Sequence, residues 1–307
     1  RQFFNAYEEA EYVAGLMQKH GIEHHILTWT GEKPATGIEE AARQARYALI
    51  AEWCNQNEVN VLLTAHHAKD QAETFLMRLQ RGSGLEGLCG IREYSVRDGL
   101  VILRPLLGVN PESLRNYLRQ RNVVWVEDES NSDTAFLRGK IRRYLPAMTE
   151  NTGINIEKIC NAVRNLQSAE DYIEQQLELL LARDVVWDFG TVCRFKYTDY
   201  LSWHKEMKFR VLARLCRREY IPRAERVLAL ANALNTLPFM GTTLGGREII
   251  LAYGWIWIVP ERVSKGLQSR KLWAGFVQQH PLYKNVKMPH KAKLAILQKV
   301  GVKSNDL

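Results

Sequence analysis

Two acids and two imidazoles stand close together in the run Thr64-Ala65-His66-His67-Ala68-Lys69-Asp70-Gln71-Ala72-Glu73-Thr74. Asp70 and Glu73 are three apart, so on a helix their carboxylates share a face. Such a pair can hold Mg²⁺ against a nucleotide's phosphates, or orient and deprotonate an amine. The plain alternative is a solvated first helical turn whose acids oppose the helix dipole. The neighbouring His66, His67 and Gln71 favour use in a site. A metal-hydrolase reading is weaker, because adjacent histidines point to different sides and neither His66 nor His67 has another histidine four residues away.

These residues need elements to position them. VNVLLTA, residues 59–65, is an apolar run of strand length that leads into His66, and helical spacing resumes over residues 69–81. In an open α/β sheet ligands sit beyond the carboxyl ends of the strands, which is where AHHAKDQAET falls. Residues 7–20 are predicted helical, 22–29 a strand, and 38–55 a helix after the Gly- and Pro-containing turn TGEKPATG. LRPLL predicts a short strand, Asn110-Pro111 a helix start, and VVWVED an extended segment. The alternation up to about residue 146 predicts an α/β fold with a parallel sheet. Beyond Pro146 the pattern becomes a long amphipathic helix over 154–182, a short extended piece and a basic helical stretch to about residue 233. Residues 242–262 read as a small antiparallel β element closed by Gly245-Gly246. The expected division is 1–148, a helical linker 149–185, a second domain 186–262 and a basic tail 263–307.

Two further segments carry possible chemistry. Arg81-Gly82-Ser83-Gly84-Leu85-Glu86-Gly87 contains G-x-G-x-x-G, but it follows a helix, where a dinucleotide fingerprint must follow a strand. It suits a turn touching a phosphate or base, or equally a helix C-cap. Trp125 opens an acidic turn that runs to Asp133, and Arg138, Lys140, Arg142 and Arg143 follow. Local hydrogen bonding explains the turn, while the guanidinium forks fit phosphate oxygens.

The formal charge is +8 and unevenly placed: residues 262–303 hold ten basic side chains and no acid, and residues 204–226 hold eight basic against three acidic. Clustered cations of this kind attract polyanions, and nucleic acid is the favoured partner. The longest apolar run, residues 249–259, is too short for the roughly 20 residues of a membrane-crossing helix. No secretory signal is visible at the start, so the expected location is cytoplasmic. Cys54, Cys89, Cys160, Cys193 and Cys216 are scattered and never in a Cys-x-x-Cys pair, which suits a reducing compartment without structural zinc.

Taken in order, AARQARY, TAHHAKDQAET, LQRGSGLEGL, LRPLL, WVEDESNSD and FLRGKIR resemble the tRNA(Ile)-lysidine synthetase family, a branch of the N-type ATP pyrophosphatases. The resemblance covers roughly residues 8–146 well and the rest loosely. It implies an adenine nucleotide alpha hydrolase-like nucleotide-binding domain, N-terminally truncated, followed by a mainly helical, basic tRNA-binding region. It also implies a reaction. ATP adenylates carbon 2 of the wobble cytidine in an isoleucine tRNA with a CAU anticodon, and the ε-amine of free L-lysine displaces AMP, changing the codon read from AUG to AUA. On that reading Asp70 and Glu73 are the catalytic acids, steering Mg²⁺ or the amine. Arg43, Arg46 and His66 line the nucleotide or cytidine pocket, and Arg81, Arg138 and Arg142 hold the RNA. A homodimer is left open.

The chain departs from the family pattern at Lys69, where an aspartate is usual, at Glu129, where a proline is usual, and at Gly139, where an asparagine is usual. The SGGxDS loop that cradles pyrophosphate in this family occurs nowhere in the 307 residues. The expectation is that Arg1 is not the natural start and that a βαβ unit of about 30 or more residues precedes it. The rival readings are a catalytically inactive tRNA-binding remnant and another ATP-pyrophosphatase such as a tRNA thiolase. The lack of paired cysteines speaks against the thiolase.

Overall fold

The computed structural model describes residues 4–31, 33–34, 36–125, 137–217, 220, 222–263 and 270–301. They form two compact units, 1–170 and 171–307.

Unit 1 begins with helices α1 (Phe4–Lys19) and α2 (Ile38–Gln56), then strand β1 (Val61–Leu63) and helix α3 (Ala68–Gln80). A short helix α4 (Leu85–Leu88), strands β2 (Tyr94–Arg97) and β3 (Leu100–Leu103), and helices α5 (Pro111–Gln120) and α6 (Leu137–Thr152) follow. The sheet order is β1-β3-β2, with β1 parallel to β3 and β2 antiparallel to it. The expected parallel pairing is therefore present. The β2–β3 hairpin adds an antiparallel strand, turned by Asp98 (φ 53°) and Gly99 (φ 79°). Paired positive φ values are the twist-matched two-residue turn, and Asp-Gly is its usual sequence.

The expected strand at 22–29 is not found. The segment has no ladder partner among the described residues, and its Ile22, Ile26 and Leu27 are exposed. An apolar run without a neighbour to take its N–H and C=O groups is not a strand. Val61 and Leu63 are likewise exposed on β1, which among the described residues pairs on one side only. Helix α5 starts at the expected cap, with Asn110 Oδ1 accepting from the Glu112 amide at 2.9 Å and Pro111 next. Helix α6 continues through Pro146. The expected boundary at 148 thus falls inside a helix. Helix α7 (Ile156–Asp184) contains the division between the units.

A small core of Ala72, Leu145, Ile159 and Val163, with Phe75, Leu76, Met148 and Ile156 packed on it, binds α3, α6 and the first part of α7. Docking α6 on α3 is what brings Arg138 and Arg142 over the acids.

Unit 2 is more sheet-based than its basic helical stretches suggest. Strands β4 (Val186–Asp188), β5 (Val192–Lys196), β6 (Thr242–Leu244), β7 (Arg247–Ala252) and β8 (Trp255–Pro260) form one antiparallel sheet, order β4-β5-β8-β7-β6. The short extended piece and the 242–262 element are parts of a single sheet, and the Gly245-Gly246 turn lies where the sequence places it. Helices α8 (Tyr197–Ser202), α9 (Lys205–Leu215) and α10 (Ala224–Leu234) precede β6, and α11 (Arg270–Gln279) and α12 (His290–Val300) follow β8. Ile256 and Ile258 belong to one core with Leu212, Leu215 and Leu230, whereas Trp257 and Val259 belong to a second with Leu272, Phe276 and Ile296. Both faces of β8 are covered, so it reads as an unbroken apolar run. The described part of the expected tail is therefore a core-forming helical layer.

Candidate active site

Strand β1 delivers the site residues. Its ladder reaches Thr64, whose amide donates to Leu103 O at 2.9 Å, and the Thr64 hydroxyl lies 2.9 Å from Nδ1 of His66. The chain then turns into α3 through a capping box: His67 is the N-cap, its Nδ1 accepting from the Asp70 amide at 3.4 Å, while Asp70 Oδ2 accepts from the His67 amide at 3.0 Å. The Ala68 amide donates to Val109 O at 3.0 Å, fixing the first turn against the loop after β3. An open cleft of about 310 Å³ results, lined by Arg46, Tyr47 and Ile50 of α2 with Leu62, Thr64, Ala65, His66 and Asp70.

The two acids differ in surroundings. Asp70 keeps 17% of its side chain exposed, and Glu73 has none exposed. Arg138 Nε donates to Glu73 Oε2 at 2.8 Å, and its Nη2 to Asp70 Oδ1 at 3.2 Å. Arg142 grips Glu73 with two donors, Nε to Oε1 at 2.7 Å and Nη2 to Oε2 at 3.0 Å. Charge-assisted forks of this kind are strong and directional. They also bear on the fit of a divalent cation. A metal between Asp70 and Glu73 needs free carboxylate oxygens, and both oxygens of Glu73 are occupied by guanidinium groups, so the pair as arranged does not fit Mg²⁺. Among the described residues no group of three or more His, Cys, Asp or Glu is placed to hold a metal.

Burial pushes the His66 imidazole below its ordinary value; Arg104, Arg43 and Arg138 push the same way, and Asp70 opposes them. Burial also lowers the Lys69 ammonium, helped by Arg142 and Arg115 and opposed by Glu73 and Asp70.

His66, Asp70 and Arg46 converge on the cleft. Arg43 is one turn earlier on α2, with its guanidinium 5.8 Å from the centre of the Tyr47 ring. Arg81 is elsewhere: it is the C-cap of α3, about 16 Å along the helix from Asp70 at 1.5 Å per residue. There Gly82 (φ 66°) closes the helix, with its amide on Leu79 O and the Ser83 amide on Arg78 O. This is the C-cap alternative for RGSG. Residues 126–133, with the acidic turn and Glu129, lie outside the described residues. Gly139 is buried on α6.

Three roles were not assigned from sequence. Gln71 exchanges two hydrogen bonds with the Ile91 backbone at 2.7 and 2.6 Å, and Arg78 donates to Gly87 O and Gly90 O, so α3 clamps the loop after it. Arg104 of LRPLL is buried, donates to Arg92 O at 2.7 Å and Ser95 Oγ at 3.1 Å, and places a cation near His66. An arginine set directly after the apolar run Leu100–Leu103 and before Pro105 is the sequence signal that would have found it.

Residues 1–148, which hold this cleft and the Glu73 clamp, match the PP-loop domain family. The chain is 32% identical over 279 residues to the tRNA(Ile)-lysidine synthase of Bradyrhizobium diazoefficiens, a match covering 83% of this chain and 77% of that protein. The chain belongs to the tRNA(Ile)-lysidine synthase family. Relatives of the same name occur in Wolbachia pipientis wMel, 34% identical over 74% of this chain and 54% of the relative, and in Ruegeria pomeroyi, 33% identical over 80% and 58%. The chain spans about half the length of several of the curated lysidine synthases it matches. The resemblance drawn from AARQARY, TAHHAKDQAET and LRPLL is thus the right family, and the cleft is built from its PP-loop portion. No helix among the described residues is long and apolar enough to cross a membrane.

Proposed function

We propose that this protein is a cytoplasmic tRNA(Ile)-lysidine synthase: it uses ATP to adenylate carbon 2 of the wobble cytidine in the CAU anticodon of an isoleucine tRNA. Free L-lysine then displaces AMP through its ε-amine. The observation that carries the reading is the convergence of His66, Asp70 and Arg46 on one cleft within the PP-loop match. Arg46, with Arg43 behind it, supplies positive charge for the phosphates of ATP and of the adenylated base. Asp70 draws the ammonium of lysine to the cleft and takes up its proton as the amine attacks. His66, held neutral by burial, offers a second proton acceptor. Arg142 and the more distant Arg81 face the RNA, Arg138 faces a phosphoryl group of bound substrate, and the basic surface of unit 2 engages the tRNA body through its phosphates.

The test is incubation of the full-length protein with ATP, radiolabelled lysine and total tRNA. Label should enter RNA only when ATP is present, with one AMP released per lysine. Binding of tRNA without any incorporation overturns the synthase reading and leaves an RNA-binding protein.

A further inference from the structure

The two acids of α3 do different work. Asp70 lines the cleft; Glu73, one turn on, does not, and it has no exposed surface. Each of its oxygens accepts from a guanidinium: Arg138 Nε at 2.8 Å, Arg142 Nε at 2.7 Å and Arg142 Nη2 at 3.0 Å. Arg138 and Arg142 are four apart on α6, so a single carboxylate on α3 sets the orientation of both. The clamp is asymmetric. Arg142 is 22% exposed, whereas Arg138 reaches on to Asp70 and keeps 40% of its side chain open to solvent. A carboxylate enclosed in this way is poorly placed as a base, because its lone pairs are engaged by cations. It is well placed to hold a planar fork at a set angle.

Building on the lysidine synthase reading, we propose that Glu73 is a positioning residue, touching no substrate itself and acting by holding the exposed edge of Arg138 beside Asp70, where it meets a phosphoryl group of bound substrate. That group belongs either to the RNA backbone or to the nucleotide.

Steady-state kinetics of the full-length protein test this with E73Q, R138Q and the double variant. A neutral amide keeps the shape of Glu73 but offers one acceptor to two cations. E73Q and R138Q should each raise one KM by about tenfold, that for tRNA if the phosphoryl group is on RNA and that for ATP if it is on the nucleotide. The double variant should be no worse than the poorer single one, since removing Arg138 leaves Glu73 nothing to position. The pH profile of kcat should keep its shape in E73Q. Additive effects, a fall in kcat alone with a lost limb of the profile, or a lower melting temperature with kcat and KM both unchanged would each overturn the proposal. If E73Q does not fold, E73D takes its place in the same cycle, since it keeps the charge and shortens the reach. Wild-type protein that transfers no lysine defeats the synthase reading and this inference with it; wild-type transfer with additive variants defeats this inference alone.

Discussion

Arg142 donates from Nε and Nη2 to the two oxygens of Glu73, at 2.7 and 3.0 Å, across 69 residues of chain. That fork, with Arg138, is the polar seam between α3 and α6, beside an apolar core with four buried residues among those described. Replacing Glu73 by Ala removes the carboxylate that both guanidinium groups share and leaves Arg138 with Asp70 alone of the two acids. Both arginines retain some solvent access, so the cost should sit below that of a wholly buried pair, at about 2–3 kcal/mol. Chemical denaturation of E73A against wild type measures it, and a loss under about 0.5 kcal/mol would mean the seam contributes little.

Asp70→Asn should abolish the reaction without unfolding the protein. The amide oxygen can still accept from the His67 amide, so the capping box survives in part. The charge that draws and deprotonates the lysine amine is gone. Lysine-dependent AMP release by the full-length protein should fall at least about 100-fold, with tRNA affinity little changed. Activity within a few-fold of wild type would remove Asp70 from the chemistry.

How far the sequence led depends on whether the deciding interaction is local. The start of α3 was legible, because an apolar strand running into His66 and a helical pattern after it are short-range signals. The Asn110-Pro111 start of α5 and the Gly245-Gly246 turn are of the same kind. Asp98-Gly99 was an equally local hairpin signal that went unread. What Glu73 touches was not legible, since its partners are 65 and 69 residues away and only the docking of α6 selects them. The strand expected at 22–29 failed for the same reason: its composition permits extension, but pairing needs a neighbour. In unit 2 the apolar pattern of β8 marked a buried strand without revealing that basic helices on both sides bury it.

His66 gives stability a definite slope in acid. Its folded-state value is lowered by burial, so below about 6.5 the unfolded chain takes up a proton that the folded chain resists. Stability contributed by the neutral imidazole is therefore complete above that point and is lost as pH falls towards the lowered value. Above it there is no effect, since both states are neutral. Melting temperatures from pH 7.5 down to 5 should fall less steeply in His66→Gln than in wild type. Parallel curves would show that His66 is not held neutral.

Gly90 should resist any side chain. It has φ 63°, and a Cβ there would collide with Oε1 of Gln71, the atom that accepts from the Ile91 amide, and come within 3.2 Å of Val163. Backbone strain and the displaced amide together should make Gly90→Ala destabilising by about 2–3 kcal/mol. The damage should be concentrated in the clamped loop, with faster hydrogen exchange at the Ile91 amide. Unchanged protection at that amide would show that Gln71 does not anchor the loop.

Arg81 separates two ways an arginine can serve RNA. It is exposed at the C-cap of α3, far along the helix from the acids, whereas Arg138 is tied to both. If Arg81 meets a backbone phosphate, its loss removes one released counterion and nothing else. For Arg81→Ala the slope of log affinity against log salt should shrink by about 0.7–0.9, uniformly over tRNA species. Arg138→Ala should shrink the slope as well if the phosphoryl group it meets is on RNA, and should instead weaken the ATP dependence of lysine incorporation if that group is on the nucleotide. Fluorescence anisotropy across a salt series, run beside the labelling assay, reads both. An unchanged slope in Arg81→Ala would take that residue out of the RNA interface and leave the RGSG turn as a helix stop alone.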